Sequence, residues 1–174
     1  MRINILGGPC CGKSTLASFL FSELKAEGYN IELVTEFVKT WTYTRRPIKS
    51  FDQVFIFAQQ LHLEDNILNG GFKHLISDSP LFLNCFYGRK NNTPGNKNIL
   101  EIAKLFEEKY PGIYFFLNRD TKLKYSEVGR YQTQEQALQI DKELKLFIEE
   151  NVDRNKIFYF CEKNKILEKI CEIL

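Results

Sequence analysis

Gly7-Gly8-Pro9-Cys10-Cys11-Gly12-Lys13-Ser14 is the stretch that decides the fold of this chain. It fits G-x-x-x-x-G-K-[ST] at every fixed position. Glycines let the backbone turn so that successive N–H groups point inward at phosphate oxygens, and the helix that follows adds its own free N–H groups and dipole. Lys13 brings a point charge to the outer phosphates, and Ser14 offers a hydroxyl to Mg²⁺. Thr15 adds a further hydroxyl. The cradle is thus read as Gly7 to Thr15, holding ATP with Mg²⁺. The chain has no Asn-Lys-x-Asp string of the guanine-reading kind, which favours ATP over GTP.

The flanks suit this loop. Arg2–Leu6 reads as a short buried strand, and Lys13–Glu27 as a helix carrying Leu16, Phe19, Leu20 and Leu24 on one face and stopped by Gly28. Ile31–Thr35 is the second strand. Ser50 with Gln53 forms a capping-box pattern opening a helix to Leu68, closed by Gly70-Gly71. His74–Ser77 is the third strand, Leu81–Tyr87 a short helix, and residues 91–96 a polar loop. Asn98–Lys109 is helical, Ile113–Leu117 the fourth strand, and Thr133 with Gln136 a second capping box opening a helix to Glu150. Lys156–Phe160 is the fifth strand and Asn164–Ile173 the last helix. Strands alternating with helices predict an α/β fold, a three-layer α/β/α sandwich around a five-stranded parallel sheet. No repeat or linker divides residues 1–174, so one domain is expected.

Composition narrows the class. At 44% apolar and 26% charged residues, this is an ordinary globular sequence. A net charge of +2 is too small to imply nucleic-acid binding by bulk electrostatics. No run of 18 apolar residues predicts a membrane span, and the N-terminal residues run directly into the glycine loop instead of forming a signal peptide, so the expected location is the cytoplasm. The odd number of cysteines, Cys10, Cys11, Cys85, Cys161 and Cys171, matches no zinc spacing and reads as reduced thiols. His62 and His74 are isolated and carry no assigned chemistry.

Two carboxylates stand where strands end. Asp78, directly after the third strand, is placed to organise Mg²⁺ and its waters together with Ser14. Glu36 ends the second strand, on the side where open α/β sheets bind ligands, and can take the proton of an attacking hydroxyl. A phosphate acceptor is already anionic and needs no base, so Glu36 tilts the reading toward a hydroxyl acceptor.

The cradle, Glu36 with Trp41 five residues on, and Asp78-Ser79-Pro80 together resemble the P-loop kinases of nucleosides and nucleotides. The Glu-x-x-x-x-Trp spacing resembles deoxyribonucleoside kinases, a family that uses this glutamate as base. Asp-Ser-Pro is similar to phage-encoded P-loop kinases related to ribosylnicotinamide kinases, some of which phosphorylate 5-hydroxymethyluracil within DNA. Phe37 replaces the proline of the deoxyribonucleoside kinases, and their Glu-Arg-Ser at the third strand is absent. The resemblance implies strand order 2-3-1-4-5 and makes residues 119–132 the lid, with Arg119 and Arg130 offsetting charge on the transferring phosphoryl group and Gly129 as a hinge. It also implies a base-reading glutamine on the helix beginning at Ser50, where Gln59 and Gln60 are the candidates. Trp41 is a candidate to stack on a base. Arg45, beside Arg46, and the pair Arg89-Lys90 are candidates for an acceptor phosphate or a DNA backbone.

Three readings follow. One is a kinase acting on a hydroxyl of a nucleoside, a nucleotide or a hydroxymethylated base in DNA. The second is a nucleoside monophosphate kinase. The third is a nucleotide switch that hydrolyses ATP and answers to a partner protein. The sequence leaves the oligomeric state open.

Overall fold

The computed structural model describes residues 1–119, 125, 131–160 and 162–174. Strands β1 (Arg2–Leu6), β2 (Ile31–Val34), β3 (His74–Ser77), β4 (Gly112–Leu117) and β5 (Ile157–Phe160) form one parallel sheet in the order β2-β3-β1-β4-β5. The expected strand order and class are therefore found. β1 is central, with Ile3 opposite Ile76 on one side and Ile113 on the other.

Side chains of the central strands alternate between two apolar layers, as the pleat requires. Ile3, Ile5 and Phe115 pack on one face against Leu16, Leu20 and Leu24 of α1 (Lys13–Ala26) and Ile166 and Ile170 of α7 (Lys163–Ile173). Leu6, Tyr114 and Phe116 pack on the other. There they meet Phe57 of α3 (Asp52–Asn69), Phe82 of α4 (Leu81–Lys90), Ile99 of α5 (Asn96–Lys109) and Ile140 and Leu144 of α6 (Gln134–Asn151). This second layer also holds a charge. Arg2 is fully enclosed and donates from Nε to Glu64 at 3.0 Å and from Nη1 to Glu107 at 2.9 Å. Burial opposes that charge, but Glu64, the Tyr114 phenol and Glu107 outweigh it and hold the guanidinium above its ordinary range.

Helix ends follow local chemistry with one exception. Thr133 and Gln136 make the expected reciprocal box at α6. At α3 the expected Ser50–Gln53 box does not form. Ser50 sits at φ 48°, and the Gln53 amide is buried instead against Asn84. The start of α3 is organised by Asp52, whose carboxylate accepts the Lys49 N–H at 2.9 Å. A short helix not expected from the sequence, α2 (Lys39–Tyr43), follows β2. α4 is longer than expected, ending at Lys90, and α5 starts at Asn96.

Candidate active site

The phosphate loop leaves the end of β1 and enters α1 through Gly12, which takes φ 93°, a left-handed turn that costs a glycine little. From there the loop wraps one wall of a cavity of about 600 Å³ that also reaches Glu36, Lys39, Gln53 and Tyr87. Elements from the carboxyl ends of β1, β2 and β3 thus converge on one space, where open parallel sheets bind ligands.

Within the loop, Lys13 Nζ donates to the Gly8 carbonyl at 2.9 Å, so its ammonium lies along the loop. The Cys11 thiol donates to the same carbonyl at 3.0 Å. Burial pushes that thiol up, against the pull of Lys13, so Cys11 is a protonated packing group. Cys10 is half-buried and lines the cavity. Ser14 lines it as well, and its hydroxyl oxygen lies 3.3 Å from Lys39 Nζ. Lys39 was not anticipated. It opens α2, which packs by Trp41 stacked on Phe55 of α3 at 6.2 Å between ring centroids.

Asp78 directly follows β3, is almost wholly enclosed and does not itself line the cavity, although its neighbour Ser79 does. Its backbone N–H donates to Val34, and among the described residues Oδ1 has no hydrogen-bond partner. An orphaned carboxylate oxygen of this kind suits Mg²⁺ or its waters. Among the described residues no group of three or more His, Cys, Asp and Glu side chains could hold a metal.

Glu36 lines the same cavity as the loop. Tyr87, from α4, faces the same space, and burial followed by the nearby Glu36 carboxylate pushes its phenol well above the usual range, so it stays protonated. Deeper in the cavity, Gln53 Nε2 donates to the Asn84 backbone carbonyl at 3.2 Å and to its side-chain oxygen at 3.3 Å. Among the described residues, no hydrogen bond engages Gln53 Oε1 or the Asn84 side-chain NH₂. The pair therefore presents one acceptor and one donor side by side.

The remaining candidates are dispersed. Gln60 is buried, donating to Ser77, whose hydroxyl donates to Glu64, and Gln59 is half-buried; neither lines the cavity. Trp41 is buried in an aromatic stack beneath Arg46, whose guanidinium lies 3.5 Å from the ring centroid, and is not part of the lining. Arg45 is exposed at φ 51° and lies outside the lining. Arg89 pairs with Glu150 and Lys90 with Glu143 on the surface. Arg119 is held by Asp141. Arg130, Gly129 and most of the expected lid fall outside the described residues, as does Cys161. The Tyr131 hydroxyl, just after that segment, donates to the Arg46 carbonyl at 2.6 Å, and Tyr131 lines the cavity with Gln132.

Lys39, Gln53, Asn84 and Tyr87 were missed in the sequence. Gln53 was read as a cap because it stands three residues after Ser50. Lys39 had a detectable signal, since it lies three residues after Glu36 and a helical turn brings both to one side.

Comparison with known proteins agrees with the fold. A family model described as an AAA domain matches residues 2–157. A putative adenylate kinase of Methanococcus maripaludis is 35% identical over 86 residues, which is 44% of this chain and 48% of that protein. The chain thus spans about half the length of the curated relative it matches. Among solved structures, a NadR protein in complex with NR superposes with a TM-score of 0.74 at 13% identity, covering 98% of this chain and 48% of that one. Deoxyadenosine kinase from M. mycoides superposes with a TM-score of 0.60 at 18% identity, covering 99% and 98%. At these identities the structures share the fold.

Proposed function

The chain belongs to this AAA-domain family, and from that premise we propose that it is an ATP-dependent kinase that passes the γ-phosphoryl group to a hydroxyl of a nucleoside, a nucleotide or a hydroxymethylated base in DNA. One observation carries the reading. A single cavity joins Lys13 and Ser14 to Glu36 and to the Gln53–Asn84 amide pair. A bare nucleotide switch has no use for a cavity that extends from its phosphate loop to a glutamate and a polar amide pair.

In this reading Lys13 leaves the Gly8 carbonyl for the outer phosphates of ATP. Ser14 and Asp78 would hold Mg²⁺, which supplies charge neutralisation and orientation of the phosphates. Glu36 accepts the proton of the attacking hydroxyl. Gln53 and Asn84 orient the acceptor by a donor–acceptor edge, such as a nucleobase provides. Tyr87 stays protonated and donates. The names of similar proteins, a putative adenylate kinase and a deoxyadenosine kinase, support an acceptor of the nucleoside or nucleotide class.

A nucleoside monophosphate acceptor is the second reading, and Lys39 favours it. Among the described residues Arg45, Arg46 and Arg89 do not line the cavity and Lys39 does, so Lys39 would meet an acceptor phosphate.

The test is transfer from γ-labelled ATP to a panel of nucleosides, nucleoside monophosphates and hydroxymethylated DNA. Label on a hydroxyl acceptor supports the proposal. Label on monophosphates alone moves the reading to the second, and label only as free phosphate overturns both in favour of a hydrolytic switch.

A further inference from the structure

Helix α6 reaches the phosphate loop at a single carboxylate. Asp141 Oδ1 accepts the Gly8 N–H at 3.0 Å. Arg119, just past β4, donates from Nε to Asp141 Oδ2 at 2.7 Å and from Nη2 to Oδ1 at 3.1 Å. The same Nη2 donates to the Pro9 carbonyl at 2.8 Å. One bidentate ion pair therefore grips both the Gly8 N–H and the Pro9 carbonyl, while Lys13 and Cys11 hold the Gly8 carbonyl. Charge-assisted, forked pairs of this kind are strong and geometrically specific. The side chains are only 14% and 21% exposed, so water competes weakly.

The glycine at position 8 answers to this grip. Its φ lies outside the left-handed region, so backbone conformation alone would allow alanine. A Cβ there would stand 2.0 Å from Asp141 Oδ1. The steric demand comes from α6. Arg119 is also accounted for. Its guanidinium is neutralised by Asp141 and anchored on the loop's outer limb, which suits holding the cradle and not travelling to a transferring phosphate.

We propose that Asp141, acting through Arg119 and Gly8, is a positioning residue that fixes the entry limb of the phosphate loop and so sets the affinity for nucleotide. Neither residue needs to touch the reacting atoms. With Gly8-Pro9 fixed, the N–H groups from Cys10 to Ser14 are presented already aimed, and binding does not have to order them. The inference rests on reading the loop as an ATP cradle.

The experiment measures binding of a non-hydrolysable ATP analogue with Mg²⁺ by calorimetry, alongside thermal unfolding, for wild type and for Asp141→Ala, Asp141→Asn, Gly8→Ala and Gly8→Ala/Asp141→Ala. Asp141→Ala weakens binding about tenfold, as expected for loss of a charge-assisted grip. Asp141→Asn, which can still accept from Gly8 but loses the ion pair, falls between. It carries the test if the alanine variant does not fold. Gly8→Ala loses binding by about a hundredfold or more, and the double variant returns to within about threefold of Asp141→Ala, because the clash has been removed. Affinity unchanged in both Asp141 variants, or a Gly8→Ala defect that persists unaltered in the double variant, overturns the proposal while leaving the cradle intact. Failure of the wild-type protein to bind the analogue overturns the cradle reading and this inference with it.

Discussion

The Lys39 ammonium lies 3.3 Å from the Ser14 hydroxyl, so the acceptor side of the cavity reaches the loop residue assigned to the metal. Among the described residues Lys39 makes no ion pair with a carboxylate. Its charge is available to an incoming phosphate. Charge aimed at a transferring group is worth more than charge that only binds substrate. Lys39→Met should lower kcat for the best acceptor by about 10- to 100-fold, with ATP affinity changed less than about threefold. Steady-state kinetics with both substrates varied would separate the two. A rise only in KM for a monophosphate would assign Lys39 to acceptor binding.

Glu36→Gln removes the proposed proton acceptor and keeps the shape. For a hydroxyl acceptor, turnover should fall by at least about 10²-fold while binding of the ATP analogue holds. Near-normal turnover would remove the hydroxyl-acceptor reading.

Gln53→Leu takes one half of the amide pair from the cavity and leaves Asn84 unsatisfied. The KM for the acceptor should rise about tenfold or more, since a site built to pair a polar edge suffers when a partner is lost. ATP binding is the internal control, because among the described residues the Gln53 amide hydrogen-bonds Asn84 and no residue of the loop.

These residues show what the sequence made legible. The sheet and the loop were readable because strands buried on both faces are near-continuous apolar runs, and because glycines and capping residues mark element ends locally; the strand order came from the resemblance to P-loop kinases and from no local signal. Helix α2 was not readable. Thr40-Trp41-Thr42-Tyr43 has poor intrinsic helix propensity, and what holds it is Trp41 packed on Phe55, a tertiary contact. Gln53 and Gln60 share one helix with similar local surroundings. Which amide reaches the cavity was decided by Asn84 in one case and Ser77 in the other, far along the chain. Asp141 reads as one more charge on an amphipathic helix until the fold sets it against Gly8.

Stability should depend on the enclosed Arg2 charge. Glu64→Ala strips away the wholly buried one of its two carboxylate partners and leaves the enclosed guanidinium to Glu107 alone. The loss is expected at about 3–5 kcal/mol, read from urea unfolding. For a domain of this size that corresponds to roughly 6–20 °C in Tm.

A pH dependence should arise at His74. Burial, then the N-terminal ammonium and Lys73, push its pKa below the ordinary value, and Nδ1 has no partner among the described residues. The folded protein therefore binds this proton less readily than the unfolded chain. The associated stability is complete above about pH 6.5 and is lost as pH falls through the depressed value. His74→Gln should flatten the dependence of the urea midpoint on pH below about 6.5, leaving the neutral value nearly unchanged.

The central place of β1 has a further consequence in time. Its two neighbours in the sheet lie at residues 74–77 and 112–117, so both of its edges wait for chain made much later. The ribosome emits the nucleotide loop early, but the loop acquires its shape only after β4 has emerged, and Asp141 follows later still. Such long-range pairing slows folding and leaves an apolar strand exposed during synthesis. The nascent chain should accordingly gain the capacity to hold nucleotide in a single step, once β4 and α6 have been released.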